Sequence, residues 1–382
     1  MTHQYDIIII GGGIAGLFTA ARLRRAGYDV VLFEKDALGS GQTLASQGMI
    51  HGGQKYALPG GKGGHAQEVM KMPARWNACL EGWGDIDLSA TKILSPQQVM
   101  FRAGSIWSGL SVYVAGFAVN RGISRLARRE WPAAIQQGPV ITLDEKVLDM
   151  KSLVQTLSNQ MKGRIFKGGL DEILPDGQAA ISGKVFSAQA LVMVAGSGNE
   201  EAFRLLGIKN RQAQRRPLRQ IMVRGMETPL FGHGVWAKPK PRVTVTSHAH
   251  EDGYVWYLGG EIAERAAHMP EEEAILHAKE EMRAVFPHIN WSTREWATWM
   301  VDRAEAYDAN GALPPGPVVQ RRGSVLIAWP TKLTLAPALS DEVLARLEEM
   351  GVSPSKEKPA PADMPVPDIA LYPWETASWK KL

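Results

Sequence analysis

The chain opens on Asp6-Ile7-Ile8-Ile9-Ile10-Gly11-Gly12-Gly13-Ile14-Ala15-Gly16-Leu17, and this stretch decides the fold. Its apolar run reads as a short strand buried on both faces. The glycines follow at once. Leu17, Ala20, Ala21, Leu23 and Arg24 continue as a helix that Gly27 closes. Val30-Val31-Leu32-Phe33 is a second strand, and it ends on Glu34. Strand, glycine turn, helix and strand within about thirty residues make the minimal dinucleotide-binding unit.

Each residue of the fingerprint has a physical role. Gly11 makes the tight turn. Gly13 lets a pyrophosphate approach the backbone and the positive helix end. Gly16 lets helix and strand pack closely. Ile14 and Ala15 stand inside the fingerprint and are expected to border the cofactor. Glu34 lies 18 residues after Gly16, close to the roughly 20 at which an acid receives the ribose hydroxyls. That acid would repel a 2′-phosphate, which disfavours NADP. The fingerprint by itself fits NAD or FAD.

The rest of the chain is consistent with a large cytoplasmic protein. It has 382 residues, 45% hydrophobic and 21% charged, enough for two lobes. Mean hydropathy is -0.16. A net charge of +4 suits an anionic ligand and would also suit loose contact with a membrane surface. Nucleic acid is not the expected partner. Arg211, Arg215, Arg216 and Arg219 read as a solvated face. Cys79 is the one cysteine, so the chain can form no internal disulfide and carries no CxxC metal site. No metal is expected.

A glycine-rich stretch from Gly39 to Gly64 interleaves His, Tyr, Met and Ile, which suits a backbone lying against a flat ligand better than a linker. Residues 66–82 read as a helix. Asp149 is placed to cap a helix carrying Leu153, Val154 and Leu157. Residues 190–196 read as a buried strand ending on glycine. Residues 218–224, 242–248 and 253–259 read as an inserted antiparallel sheet, with Glu251-Asp252-Gly253 as a hairpin turn. Pro270 and three glutamates open a helix to about Val285. Val325–Trp329 is a late strand, followed by a helix that Gly351 stops. From Pro354 the chain reads as an extended tail, whose Trp374 and Trp379 imply docking.

The expected class is therefore α/β. A Rossmann-like cofactor domain is assembled from 1–80, 141–215 and 300–351. A cap domain comprises 81–140 and 216–299, and a tail covers 352–382.

Gly41-Gln42-Thr43-Leu44-Ala45-Ser46-Gln47-Gly48-Met49-Ile50-His51-Gly52-Gly53-Gln54-Lys55-Tyr56 resembles the flavin-contacting segment of the D-amino-acid-oxidase-like superfamily. It is most similar to that of the FAD-dependent glycerol-3-phosphate dehydrogenases. Thr331-Lys332-Leu333-Thr334 resembles a second segment of the same enzymes, which sets a helix N-terminus at the flavin. Asp144–Leu157, with Val147, and Ala195-Gly196 match more generally. The resemblance implies noncovalent FAD held by Lys35, Thr43, Ser46, Gln47, Gly48, Val147, Ala195, Gly196 and Thr331–Thr334, besides the fingerprint. It departs in two places. Pro330-Thr331 replaces Gly-Gly, and Lys55 replaces an arginine, so a carboxylate is as well supported as a phosphate.

The implied reaction is hydride transfer from a C–OH or C–NH carbon of a small anionic substrate to flavin N5. His51 is the first candidate for base or polariser, with a loop-stabilising histidine as the alternative. Lys55 and Tyr56 are candidates for the anion and the substrate oxygen. Arg303 stands where the resembled enzymes place an arginine near the substrate, with Asp302 and Glu305 as structural partners instead. Lys332 is expected beside the flavin and, if buried, as an alternative base. Arg242 and His248 are weaker candidates for the roof. The acceptor, whether oxygen, a quinone or another carrier, stays open. A disulfide reductase would need a second fingerprint and a CxxC, and neither is present. A flavin-binding RNA-modification or scaffold protein is the alternative of another class.

Overall fold

In a computed structural model the protein is described over residues 3–52, 64–104, 123–236, 238, 240–355 and 362–381. The chain runs through β1 (His3–Ile10), α1 (Ile14–Arg25), β2 (Val30–Glu34) and α2 (Gly64–Leu80). Short strands β3 (Ile93–Ser95), β4 (Gln98–Arg102), β5 (Ile123–Arg125), β6 (Val140–Leu143) and β7 (Val147–Leu148) precede α3 (Met150–Gln160). Then come β8 (Ile165–Lys167), β9 (Leu170–Ile173), β10 (Gln178–Ile181), β11 (Lys184–Met193) and α4 (Asn199–Leu205). The middle of the chain holds β12 (Ala213–Met226), β13 (Gly232–Val235), β14 (Val243–His250), β15 (Gly253–Gly259), α5 (Glu261–Ala266) and α6 (Glu271–Val285). The last elements are β16 (Glu295–Ala306), β17 (Val318–Arg322), β18 (Val325–Trp329), α7 (Ala336–Glu349) and α8 (Pro373–Thr376).

Eight of these strands form one sheet. Its main order is β17-β18-β11-β1-β2-β8, with β10 and β9 attached beside β11. The pairs β18–β11, β11–β1, β1–β2 and β2–β8 are parallel. The alternation of Ile7–Ile10 explains the layering. Ile7 and Ile9 pack with Leu17, Val154 and Leu339 under α1, α3 and α7. Ile8 and Ile10 pack with Phe33, Phe186 and Trp329 on the opposite face. Gly27 ends α1 at φ +99°, a conformation open to glycine at little cost. Asp149 caps α3 by accepting the Ser152 N–H at 2.8 Å.

The second sheet runs β16-β12-β15-β14-β13-β4-β6-β5. It is antiparallel except for the β13–β4 pair, which is parallel, as the long connection between them permits. Helices α5 and α6 cover one face, burying Ala274, Ile275, Ala278 and Met282 against Ile221, Val223, Trp256 and Trp296. Cys79 is fully buried. Among the described residues no helix is long and apolar enough to cross a membrane. The tail is mostly extended, with the single turn α8, and Trp374 is buried.

Candidate active site

Because β1, β2, β11 and β18 are parallel, their C-terminal ends line up along one edge of the first sheet. Open α/β sheets hold ligands in the crevice at this edge. The fingerprint leaves it after β1, residues 35 and 43–48 after β2, Ala195-Gly196 after β11, and 331–334 after β18.

Within the fingerprint the glycines differ in what requires them. Gly11 has φ +116°, and a Cβ there would lie 2.7 Å from the Ala195 Cα. A Cβ on Gly16 would lie 1.9 Å from the Gly11 carbonyl oxygen. These two are demanded by packing. A Cβ on Gly13 would meet only the Thr43 Oγ1, at 3.1 Å, among the described residues. Among the described residues, packing does not demand Gly13 as it demands Gly11 and Gly16, which suits the approach of a ligand there. Thr43 Oγ1 accepts the Ile14 N–H at 3.0 Å. Glu34 is buried and accepts the Gly12 N–H at 2.6 Å and the Asp36 N–H at 2.9 Å. A carboxylate oxygen can accept more than one bond, so capacity is left for ribose hydroxyls. The Lys35 side chain is 71% exposed, and its Nζ lies 3.7 Å from Asp36.

The 48–52 stretch is held as a ladder against 145–148. Leu148 N–H donates to the Gly48 carbonyl at 2.9 Å, Met49 bridges Val147, and Ile50 N–H donates to the Lys146 carbonyl at 2.9 Å. Glu145, buried, accepts the Gly52 N–H at 2.7 Å. Half-buried His51 is thus fixed on both sides. A Cβ on Gly48 would lie 2.3 Å from the Leu148 carbonyl, so glycine alone fits the ladder. Gln47 Nε2 donates to the Thr244 and Tyr257 carbonyls, at 3.2 and 3.0 Å, tying the loop to the second sheet. Ala195 N–H is held by the Asn199 side chain, and the Gly196 carbonyl accepts from the Trp329 indole.

The hydroxyls of Ser46 and Thr334 are buried without a hydrogen-bond partner among the described residues. Each such group costs about 1–3 kcal/mol, and a polar cofactor at these loops would supply the partners. Thr331 has φ +62°, and its hydroxyl donates to the Pro330 carbonyl at 2.7 Å. The glycine of the resembled segment is gone, yet the left-handed backbone is kept, at a cost of roughly 1–2 kcal/mol. Lys332 is the N-cap of the turn Leu333–Leu335, which runs on into α7.

Arg216 and Arg303 face each other across β12 and β16. Arg216 grips buried Glu305 with two bonds, at 2.6 and 2.8 Å. Arg303 is held more loosely, 3.4 Å from Glu264, which also binds Lys240. Burial, with the Arg216 charge beside it, holds both Arg303 and Lys332 below their ordinary pKa ranges, and Glu305 offsets this in part. Three cations thus lie near Glu305 in a partly desolvated place. The structure corrects two readings. Asp302 pairs with Arg215, and Glu305 with Arg216, so neither is the main partner of Arg303. Arg216 leaves the solvated face, whereas Arg215, on the other side of the strand, stays there with Glu200. Lys55 and Tyr56 lie outside the described residues.

The roof candidates fall elsewhere. Arg242 binds Glu281 and the Ala103 carbonyl. His248 lies under the tail, 4.0 Å from the Trp374 ring centroid, and burial holds its pKa down to about 4. An unfolded chain would protonate this ring near pH 6.5 while the folded one does not. Stability is therefore expected to fall as pH drops from about 6.5 towards 4, by about 3 kcal/mol in all. Urea unfolding at pH 7 and pH 4.5 checks this. Equal pH sensitivity in wild type and His248→Phe would remove His248 as the cause.

Sequence reading missed Arg216, Glu145 and Tyr257. Arg216 carried a signal, the period-two alternation with Arg215, but not which face would be the inner one.

Such an edge belongs to the dinucleotide-binding oxidoreductases. A family model narrows the class: the one described as DAO, FAD dependent oxidoreductase, matches residues 6–345, and the chain belongs to that family. It is an FAD-dependent enzyme of the dehydrogenase/oxidase kind. The chain is 40% identical to the probable FAD-dependent oxidoreductase PA4991 of Pseudomonas aeruginosa, over 97% of this chain and 98% of that one. The crystal structure of PA4991 superposes with a TM-score of 0.86, covering 98% of each chain at 36% identity. Glycine oxidase from Geobacillus kaustophilus shares the fold at TM-score 0.67 and 16% identity, covering 93% of this chain and 100% of that one. FAD-bound L-alpha-glycerophosphate oxidase from Mycoplasma pneumoniae does so at 0.66 and 16%, covering 97% and 100%.

Proposed function

We propose that the enzyme oxidises a small anionic substrate at a C–OH or C–NH carbon, the substrate being a hydroxy acid, amino acid or glycerol phosphate. The observation that carries this is the grouping of Arg303, Lys332 and Arg216 in one partly desolvated place, the two arginines being paired across β12 and β16. A group of partly buried cations attracts an anion and can bind it through charge-assisted hydrogen bonds. Relatives of this fold named for glycine and for glycerophosphate support that substrate range.

When bound, the flavin supplies the hydride acceptor. Arg303, with long 3.4 Å contacts to Glu264 and to the Arg216 carbonyl, is the anion-binding arginine in this reading. Arg216 is committed to Glu305 and sets the charge around it. His51, fixed between its neighbours' backbone bonds, takes the proton from the substrate heteroatom. Lys332, with its lowered pKa, is the alternative proton acceptor. Lys55 and Tyr56 are proposed for the anion and the substrate oxygen. Ser46, Thr334, Glu34 and the fingerprint hold the cofactor noncovalently. The proposed cofactor unit of 1–80, 141–215 and 300–351 carries the first sheet. The cap unit of 81–140 and 216–299 carries most of the second, and β6, β12 and β16 cross the boundaries.

An anaerobic screen of hydroxy acids, amino acids and glycerol phosphates, read as loss of flavin absorbance, tests the proposal. At least one class is expected to bleach the flavin, and His51→Ala to slow that bleaching while the protein stays yellow. Bleaching by neutral substrates only would overturn the anionic reading. A second round with oxygen and a quinone identifies the acceptor.

A further inference from the structure

The tail does more than fill a groove. It runs past the end of β8, the stretch after β2 and the start of α3 before it reaches the second sheet. The Lys167 N–H donates to the Pro365 carbonyl at 2.7 Å. Leu38, four residues beyond Glu34, then exchanges two backbone bonds with the tail, to Asp368 at 2.8 Å and from Ala370 at 3.0 Å. Tyr372 Oη accepts the Lys151 N–H at 2.8 Å and donates to Asp149 at 3.1 Å, gripping the start of α3 just after Val147. Lys380 finally exchanges a pair of 2.8 Å bonds with Trp296 of the second sheet.

Between these anchors the tail inserts an aromatic wedge. Tyr372 and Trp374 stack at 4.2 Å with planes 15° apart. The Trp374 ring packs on His248 at 4.0 Å and edge-on against Tyr257 at 5.3 Å. Tyr257 is fully buried, and its hydroxyl donates to the Ala45 carbonyl at 2.8 Å. The Tyr257 carbonyl receives Gln47 Nε2 at 3.0 Å. One residue of the second sheet therefore holds the 43–48 loop at two points, and its ring is set by a residue of the tail.

We infer that Trp374 and Tyr257 are positioning residues for FAD: the tail, acting through Tyr257, holds the 43–48 loop in its cofactor-binding geometry. The inference rests on the reading of 43–48 as a cofactor loop. A tyrosine ring has one torsion that swings its hydroxyl off the Ala45 carbonyl, and the edge-on indole blocks that swing. Without Trp374 the ring gains space, the Ala45 carbonyl loses its donor, and the loop gains conformers that FAD binding must then remove.

The test is FAD affinity, measured by titrating apoprotein into FAD and following flavin fluorescence, with thermal unfolding of each apoprotein alongside. Tyr257→Phe removes one hydroxyl and is expected to raise the FAD Kd about threefold to tenfold. Trp374→Ala is expected to raise it by about tenfold or more. Trp374→Phe should restore most of the affinity. The double variant Tyr257→Phe with Trp374→Ala should bind no more weakly than Trp374→Ala alone, because the two act in series. A Trp374→Ala protein that melts earlier but binds FAD as tightly as wild type overturns the inference, and so do additive effects. If Trp374→Ala fails to fold, Tyr257→Phe decides, and an unchanged Kd there is fatal. Ser46→Ala reports on the loop itself. Weakening in Ser46→Ala with none in Tyr257→Phe overturns only the role of the tail. No change in either overturns the cofactor reading of the loop as well.

Discussion

Gly13→Glu is expected to give a folded but colourless protein. Protein packing leaves room to begin a side chain here: the first added carbon meets only Thr43 Oγ1, at 3.1 Å, among the described residues, and the backbone has φ -79°. FAD does not tolerate it. The carboxylate would enter the space at the N-terminus of α1, where a pyrophosphate belongs, and two like charges would share one desolvated place. An uncompensated buried charge costs about 3–5 kcal/mol, which is a loss of affinity of about a hundredfold to several thousandfold. Circular dichroism near that of wild type, with no flavin absorbance after reconstitution, is the expected pair of readings. A yellow Gly13→Glu protein would mean that the pyrophosphate lies elsewhere. Gly16→Ala is the contrast. Its Cβ, 1.9 Å from a backbone oxygen, would disturb the fold itself.

Arg303→Ala should raise the KM of the substrate found in the screen by about thirtyfold or more. Removing one partner of a desolvated charge pair costs about 2–5 kcal/mol, and each 1.4 kcal/mol is a factor of ten. The fold should survive, because Glu264 keeps Lys240 and Arg216 keeps Glu305. Arg303→Lys should recover part of the loss, since a point charge replaces the fork. Steady-state or single-turnover reduction of the flavin measures both variants. A KM unchanged in Arg303→Ala would move the anion site to other residues.

Much of the cofactor edge was legible because its information is local. The strand, the three glycines and Glu34 lie within about thirty residues, and the backbone geometry needed for a pyrophosphate is set by neighbours in sequence. The same holds for Asp149 as a cap and for the acidic start of α6. The tail was legible in part: two tryptophans outside any periodic element implied docking, and Trp374 is buried.

The substrate side was less legible. Arg215 and Arg216 are adjacent and chemically identical, yet one pairs on the surface with Glu200 and the other holds buried Glu305. Strand alternation guarantees opposite faces, but only the packing of the sheet says which face is inner. The partners of Arg303 were misassigned for the same reason. Its sequence neighbours Asp302 and Glu305 turn to other arginines, and Glu264 comes from another element. Tyr257 meets Ala45 across 212 residues of chain, a contact with no local signature.

The sequence by itself thus determined a dinucleotide fold that points to a flavin, since turn geometry and strand burial are dictated by neighbouring residues. Only the tertiary structure decided which cations share one partly desolvated place, and that Tyr257 joins the tail to the 43–48 loop. Those contacts join residues far apart in the chain, and they exist only once two sheets and the tail have packed.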